Sequence, residues 1–253
     1  MKRTSSIIIP HRNRQGNLRI CLDSIRVAFN NATDLDLEII VVENGSACFA
    51  LDRHAYPFDL KVIYNADPMP IFNKSRLLNV GIEESKGEII TFLDADAITG
   101  PHFFYSYVVL DDPTVTLLCH RVRYLERPLP EPYDFPGLFD HYEEFRLAYE
   151  GRQHPACDMR GRDEVLPVFG NSQCSIRRET LGDLRYNERF VGAAFEDLWF
   201  LRELWRRSGP YFKGVMPTDP MQSLLHIYSR KDDLANWRTA PIVNANREIF
   251  NAS

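Results

Sequence analysis

Two pairs of acidic residues in this sequence could bind a metal ion or accept a proton. Asp94 and Asp96 flank a single alanine directly after an apolar run, and Glu196 and Asp197 are adjacent much further along the chain. Carboxylates are hard ligands that suit Mg²⁺ or Mn²⁺, and an added imidazole favours Mn²⁺. A carboxylate in the first turn of a helix stays ionised, as a general base must. Each pair also has a structural interpretation, because acids often solvate a turn or complement a helix dipole.

The familiar glycine-rich nucleotide motifs are absent from the sequence. No two glycines have the GxG spacing, and neither a GxxxxGK[ST] loop nor a GxSxG elbow occurs. A diphosphate bound without a glycine loop must be neutralised in another way. A divalent metal held by the first acidic pair would do so, with one carboxylate on the metal and the other on a ribose or sugar hydroxyl.

The elements that would position these acids alternate between strand and helix in the first part of the chain. The predicted strands are residues 5–9, 37–42, 61–64 and 88–93, and the predicted helices are about 18–29 and 73–85. Continuously apolar strands separated by helices are typical of an α/β fold, a Rossmann-like, mostly parallel central sheet with helices on both faces. Ligands bind such sheets at the carboxyl ends of the strands, where Pro10, Glu43 and Asp94 fall.

The pattern is less regular after this region. Prolines mark an extended loop at 127–137, and the following residues predict a helix at about 138–150 and a polar loop at 151–163. Strand character returns at 165–169 and 173–176, and Glu196 opens another helix.

Composition limits the classes of protein that fit. The 253 residues are 44% hydrophobic and 26% charged, as in an ordinary globular domain, and the net charge of −5 argues against a nucleic-acid partner. The five cysteines are odd in number and have no CxxC spacing, so neither a disulfide framework nor a zinc ribbon is indicated. The apolar stretch before Pro10 is three residues long, too short for a secretory leader, and a cytoplasmic location is therefore expected.

Several short motifs occur in a characteristic order. They are PHRNR (10–14), FNKSRLLNVG (72–81), FLDAD (92–96), VFGNS (168–172), RFVG (189–192) leading to the second acidic pair, and LHIYSR (225–230). Over roughly residues 5–230, this set resembles the β1,4-galactosyltransferases and the wider inverting family 2 of GT-A-fold glycosyltransferases. The 72–81 segment and the order of the whole set are the specific parts of the resemblance.

The resemblance implies a site for a UDP-sugar donor. The residues it places in that site are Pro10, His11, Arg12, Arg14, Glu43, Phe72, Lys74, Asp94, Asp96, Gly170 and Glu196. Glu43 is expected to accept a hydrogen bond from the uracil ring, and the arginines match phosphate geometry. Asp96 and His226 are implied as ligands of Mn²⁺ or Mg²⁺, and Asp197 as the catalytic base.

The implied reaction is a metal-dependent, inverting transfer of a hexose or N-acetylhexosamine from a UDP-sugar to a hydroxyl of a glycan or glycolipid acceptor. A single GT-A domain is expected over 1–253, with a nucleotide-sugar half at 1–120 and an acceptor half with the metal histidine at 121–253. A retaining transferase of the same fold, a nucleotidyltransferase and a non-enzymatic sugar-nucleotide sensor remain alternatives. Arg206 and Arg207 could rest on the inner membrane.

The sequence departs from the galactosyltransferases at several positions. Lys74 stands where they have arginine, and Ser223 stands where they have a methionine metal ligand. Their Trp-Gly-Trp-Gly-Gly stretch, part of a mobile lid, is replaced by VGAAF at 191–195. Asn171 follows Gly170 where they have a second glycine, which adds a side chain near the donor sugar.

Overall fold

A seven-stranded sheet forms the centre of the protein, as seen in a computed structural model that describes residues 2–65, 71–147, 173–192, 194–227 and 239–253. The strands are β1 (Arg3–His11), β2 (Leu35–Glu43), β3 (Asp59–Tyr64), β4 (Ile89–Phe92), β5 (Ala97–Thr99), β6 (Leu117–Cys119), β7 (Val122–Tyr124), β8 (Arg146–Leu147), β9 (Cys174–Arg177), β10 (Gly214–Val215) and β11 (Leu224–His226). The α-helices are α1 (Gln15–Asn31), α2 (Lys74–Glu84), α3 (Phe135–Asp140), α4 (Arg178–Leu181), α5 (Glu196–Ser208) and α6 (Ala240–Ala252). The longest 3₁₀ helix spans Phe103–Asp111.

The central sheet is mostly parallel, as the sequence predicts. Its strand order is β10-β6-β9-β4-β1-β2-β3. β4, β1, β2 and β3 are parallel neighbours, whereas β9 runs antiparallel between β4 and β6. The carboxyl ends of β1, β2 and β4 therefore lie at one edge, where the residues that follow these strands can meet.

Helices cover both faces of this sheet. In β1, Ile7 and Ile9 pack in one buried cluster with Leu22 of α1, because alternate side chains of a strand point to opposite faces. Ile8 points the other way, into a cluster with Leu78 of α2 and with α5. Burial on both faces explains the apolar run at Ile7–Ile9 in this strand, and it confirms the predicted layered architecture.

A second, four-stranded sheet has the order β5-β11-β7-β8 and has no clear signal in the sequence. Its strands are two or three residues long, too short for a period to be read. β11 pairs antiparallel with β5, so that His226 lies opposite Ala97. This pairing brings the end of β11 to the turn that follows β4.

The helix predicted at about 138–150 is wrong in its extent. The structure has α3, a 3₁₀ turn at Tyr142–Glu144 and then β8, and residues 148–150 lie outside the described part. Buried Tyr142 donates its hydroxyl to the carbonyl of Arg121 at 3.1 Å, and Arg123 donates to the carbonyls of Glu143 and Phe145. These tertiary hydrogen bonds satisfy the backbone outside a helix and outweigh local propensity.

The polar loop predicted at 151–163 and the strand predicted at 165–169 fall outside the described residues. Within the described ranges, no helix has the length and apolar character that crossing a membrane requires.

Candidate functional site

The ends of β1 and β2 are joined by a buried hydrogen bond between two predicted donor-site residues. His11 Nδ1 lies 2.5 Å from Glu43 Oε2, and the Ser46 N–H donates to Glu43 Oε1. Burial by itself would raise the pKa of Glu43, but the hydrogen bonds from His11 and Ser46 outweigh it and lower the pKa below its usual value. Glu43 is thus a carboxylate with both oxygens engaged inside the fold.

Asn44, the residue after β2, is a candidate that the sequence reasoning missed. Its backbone N–H donates to the His11 carbonyl at 3.0 Å, and the residue is 1% exposed. Neither Oδ1 nor Nδ2 of its side chain has a hydrogen-bond partner among the described residues. A buried polar group without a partner costs about 1–3 kcal/mol, so this amide points to a ligand that would satisfy it. In the sequence, the only signal was its place between a strand end and Gly45.

Asp94 is held on both sides directly after β4. Lys74 Nζ, at the start of α2, pairs with Asp94 Oδ1, and Gln173 Nε2 donates to Oδ2 at 2.6 Å. The Asp94 N–H in turn donates to Gln173 Oε1 at 3.1 Å, so that the glutamine holds both the backbone and the side chain. The sequence predicts Gln173 only as part of a strand, because nothing in a single sequence pairs it with Asp94.

Lys74 connects the two acidic pairs electrostatically. Burial would lower its pKa, but the negative charges of Asp94 and Glu196, with a smaller contribution from Asp197, outweigh burial and raise the pKa well above its usual value. Asn73 caps α2 by accepting the Arg76 N–H at 3.0 Å, which fixes the turn from which Lys74 projects. The ammonium group therefore remains charged, and it interacts with acids after β4 and at the start of α5.

Asp96, the second acid after β4, lies close to the side chains of Arg14 and His226. Arg14 Nη1 pairs with Asp96 Oδ2, and His226 Nε2 lies 3.4 Å from the same oxygen. The Ile227 N–H donates to the Asp96 carbonyl at 2.8 Å, which ties β11 to this turn. His226 Nδ1 lies 2.8 Å from the Ile227 carbonyl and must donate to it, so Nε2 is the ring nitrogen that faces the carboxylate.

The second acidic pair begins α5. Glu196 is buried, and burial together with the charge of Asp197 raises its pKa to about 7. Asp197 Oδ1 accepts the Leu198 N–H at 2.8 Å in the first turn of the helix. Glu196 is thus protonated more readily than a free glutamate, as expected of a carboxyl group that serves as a hydrogen-bond donor.

The remaining predicted residues are placed as follows. Pro10 is buried in β1 opposite Val42, and Arg12 lies partly exposed in the turn between β1 and α1. Phe72 is buried in a small cluster with Ile40 and Leu77, next to the start of α2. Gly170 lies outside the described residues.

The described residues contain no cluster of three or more His, Cys, Asp or Glu side chains that could hold a metal ion. The structure does bring Arg14, Asp96 and His226 together, and it groups Lys74 with Asp94 at the same turn.

A mostly parallel sheet covered on both faces, with acids after β4 and at the start of α5, is the arrangement that the resemblance to the GT-A glycosyltransferases predicts. Comparison with known families agrees. The profile of glycosyl transferase family 2 matches residues 6–164, and the chain belongs to that family. This is the family that the ordered motifs indicate.

Individual relatives are distant in sequence. The hyaluronan synthase of Pasteurella multocida is 24% identical over 234 residues, which cover 83% of this chain and 23% of that protein. TarS 1–349 of S. aureus, solved in complex with UDP-GlcNAc, has a TM-score of 0.63 at 15% identity over 95% of this chain and 62% of its own.

The glucosyl-3-phosphoglycerate synthase of Mycobacterium tuberculosis, solved with Mn²⁺, UDP and glucosyl-3-phosphoglycerate, has a TM-score of 0.55 at 19% identity. That match covers 98% of this chain and 77% of the other. At such identities the solved structures establish the shared fold. The chain spans less than a quarter of the length of the curated relative.

Proposed function

We propose that this glycosyltransferase is a metal-dependent, inverting enzyme that moves a hexose or N-acetylhexosamine from a UDP-sugar to a hydroxyl of a glycan or glycolipid. The observation that carries the proposal is that Lys74 pairs with Asp94 and that the charges of Glu196 and Asp197 also raise its pKa, so the two acidic pairs act on one cationic group. Structures of relatives with UDP-GlcNAc, and with UDP and Mn²⁺, support the choice of donor and cofactor. We keep 1–120 as the donor half and 121–253 as the acceptor half of a single domain.

The uracil ring would be met at the ends of β1 and β2. Uracil presents an imide N–H flanked by carbonyl oxygens, and an asparagine amide offers the complementary acceptor and donor. The buried amide of Asn44 matches that edge and has no other partner among the described residues. The oxygens of Glu43 already bind His11 and Ser46. Glu43 would therefore keep the ends of β1 and β2 rigid beside the uracil ring.

Asp96 and His226 fit a divalent cation. His226 Nε2 keeps a lone pair when the imidazole is neutral, because Nδ1 carries the proton. Nε2 lies 3.4 Å from Asp96 Oδ2, and two acceptors at that separation suit a cation shared between them. A bound Mn²⁺ or Mg²⁺ would neutralise the charge that grows on the departing diphosphate. Arg14 keeps a guanidinium beside the same carboxylate, in a position to bind phosphate oxygens.

The acidic pair of α5 would serve the acceptor and the donor sugar. Asp197 accepts the proton of the attacking hydroxyl, and the N-terminal end of the helix favours its ionised form. Glu196, with a pKa of about 7, also populates its neutral form and can donate a hydrogen bond to a sugar hydroxyl. Attack from the face opposite the leaving diphosphate inverts the anomeric configuration.

Replacing the base tests this assignment. Asp197→Asn keeps the size of the side chain but removes its basicity, so turnover should fall about 10²–10⁴-fold while UDP affinity, measured by calorimetry, stays within about twofold. Asp59→Asn is the matched control, because Asp59 is exposed and begins β3, at the opposite edge of the sheet. Equal turnover in the two variants would remove Asp197 from the role of base.

Product analysis separates the alternatives. The anomeric coupling constant of the product, measured by NMR, distinguishes inversion from retention. Release of pyrophosphate from a nucleoside triphosphate would instead identify a nucleotidyltransferase. Absence of turnover over a broad panel of donors and acceptors, with nucleotide-sugar binding intact, would identify a sensor.

We propose a cytoplasmic location, with peripheral contact to the inner membrane through Arg206 and Arg207 at the end of α5. Arg206 pairs with Glu203, and Arg207 pairs with Asp183, so both would have to exchange these partners for lipid phosphates. Sedimentation with anionic vesicles tests this contact, and binding that is unchanged in Arg206→Ala/Arg207→Ala would exclude it.

A further inference from the structure

The side-chain amide of Asn246, in helix α6, forms hydrogen bonds with the backbone of the segment that precedes Glu196 and Asp197. Its Nδ2 donates to the carbonyls of Val191 and Ala194 at 2.9 and 3.1 Å, and its Oδ1 accepts the Val191 N–H at 3.4 Å. Asn246 is 1% exposed, although its neighbours Ala245 and Arg247 are exposed. A polar side chain buried in a mostly exposed helix is held there by these hydrogen bonds.

The segment that Asn246 contacts has an unfavourable backbone. Gly192, Ala194 and Phe195 all have left-handed φ angles, of 73°, 96° and 73°. Residues other than glycine rarely adopt positive φ angles. Those that do persist where contacts with the surrounding structure fix the backbone. Phe195 directly precedes Glu196 and provides no side-chain cap for α5, so the turn itself aims the first turn of that helix.

Further contacts of α6 hold the other side of the same turn. The Phe195 ring packs against Phe250 with centroids 5.6 Å apart, and the Arg247 guanidinium lies 5.8 Å from the Phe195 ring centroid. Arg202 of α5 donates to the Phe250 carbonyl at 3.0 Å and to Ser253 Oγ at 2.6 Å. Helix α6 therefore contacts both the turn and the helix that the turn begins.

The donor side of the site holds the segment from the opposite direction. The Gly192 N–H donates to the Phe72 carbonyl at 2.7 Å, and Asn73 Nδ2 donates to the Glu188 carbonyl at 2.8 Å. The segment thus lies between the start of α2, which carries Lys74, and Asn246. Its position sets the distance between the donor-site residues and the acidic pair.

We infer that Asn246 is a positioning residue for Asp197 and Glu196, an inference that rests on the function proposed above. Asn246 holds the left-handed turn, and the turn holds the two carboxyl groups against the donor site. Misplacing a reacting group by about 1 Å can cost about 10²-fold in rate. The donor nucleotide is held by other residues, so loss of Asn246 lowers turnover and leaves UDP binding intact.

The test compares substitutions at two asparagines of α6. Asn246→Ala removes the side-chain hydrogen bonds to Val191 and Ala194, and Asn246→Ser retains one hydroxyl in case the alanine variant does not fold. Asn244→Ala is the matched control, because Asn244 is exposed two residues away on the same helix. Three quantities are measured for each: kcat with saturating donor, the Kd for UDP, and amide hydrogen exchange of peptides that cover residues 190–199.

For the Asn246 variants we expect a kcat about 10- to 100-fold below that of Asn244→Ala, a Kd for UDP within about twofold, and faster exchange in 190–199. A kcat equal to that of the control overturns the inference. So does a parallel loss of kcat, UDP affinity and thermal stability, which would mark a general structural role. If the parent protein transfers no sugar from any UDP-sugar, the proposed function fails, and hydrogen exchange alone decides: unchanged exchange in 190–199 overturns the positioning role.

Discussion

Replacing His120 with glutamine should reduce the loss of folding stability that acid causes. His120 lies beneath the candidate site. His120 follows β6 and is fully buried, with Nε2 2.8 Å from Ser175 Oγ. Its backbone N–H donates at 2.9 Å to the carbonyl of Gln173, the residue that holds Asp94. Burial lowers the pKa of the ring from 6.5 to about 3.

The sign and size of the effect follow from linkage between protonation and folding. The unfolded chain takes up a proton at His120 near pH 6.5, whereas the folded protein does so only near pH 3. Stability is therefore unaffected above pH 6.5 and is lost progressively as the pH falls from 6.5 to 3, by about 1.4 kcal/mol per pH unit. At about pH 5 the loss is about 2 kcal/mol, a substantial part of the 5–15 kcal/mol typical of a domain.

Urea unfolding at about pH 7.5 and about pH 5 measures the effect in the parent protein and in His120→Gln. The parent should lose about 2 kcal/mol more than the variant between the two pH values. Glu196 also titrates in this interval, but it is present in both proteins and cancels in the comparison. His54→Gln, which removes an exposed histidine, is the control for loss of an imidazole as such.

Equal pH dependence in the parent and in His120→Gln would refute this reasoning. An NMR titration of the imidazole in the parent gives a second measurement that does not depend on the variant folding. A His120 ring that becomes protonated near pH 6.5 in the native protein would likewise contradict a buried neutral ring.

Two further predictions concern the donor site. Asn44→Ala should weaken UDP binding about tenfold in calorimetry without lowering the free energy of unfolding, because the buried amide has no hydrogen-bond partner among the described residues; a clear loss of stability with unchanged UDP affinity would contradict a role in binding. Asp96→Ala should abolish the part of UDP affinity that depends on Mn²⁺, measured with and without the metal, because only the imidazole of the proposed ligand pair remains; full Mn²⁺ dependence in this variant would exclude Asp96 as a ligand.

The first four strands and the acids at their ends could be predicted because their signals are local. β1 and β2 contain unbroken apolar runs at 7–9 and 39–42 since both faces of the sheet are covered, and the polar residues that follow mark the strand ends. The ordered motifs then identified the family, which the match over residues 6–164 confirms. The extent of the helix near 138–150 could not be predicted, because hydrogen bonds from Arg123 and Tyr142 decide it.

Several contacts at the candidate site arise only from the tertiary structure. His226 reaches Asp96 through the pairing of β11 with β5, and Gln173 reaches Asp94 because it directly precedes β9, which pairs with β4. Asn246 carries no sequence signal at all, since a lone asparagine in a helix is usually exposed.

What the sequence determined by itself is the layered α/β sheet, the acids at its strand ends and the family, because apolar periodicity and the order of motifs are properties of neighbouring residues. What only the tertiary structure decided is which polar side chains are buried, which charges face one another and hence how Glu43, Lys74 and Glu196 hold their protons. Burial and Coulomb energy depend on distances through space, and residues far apart in the chain set those distances.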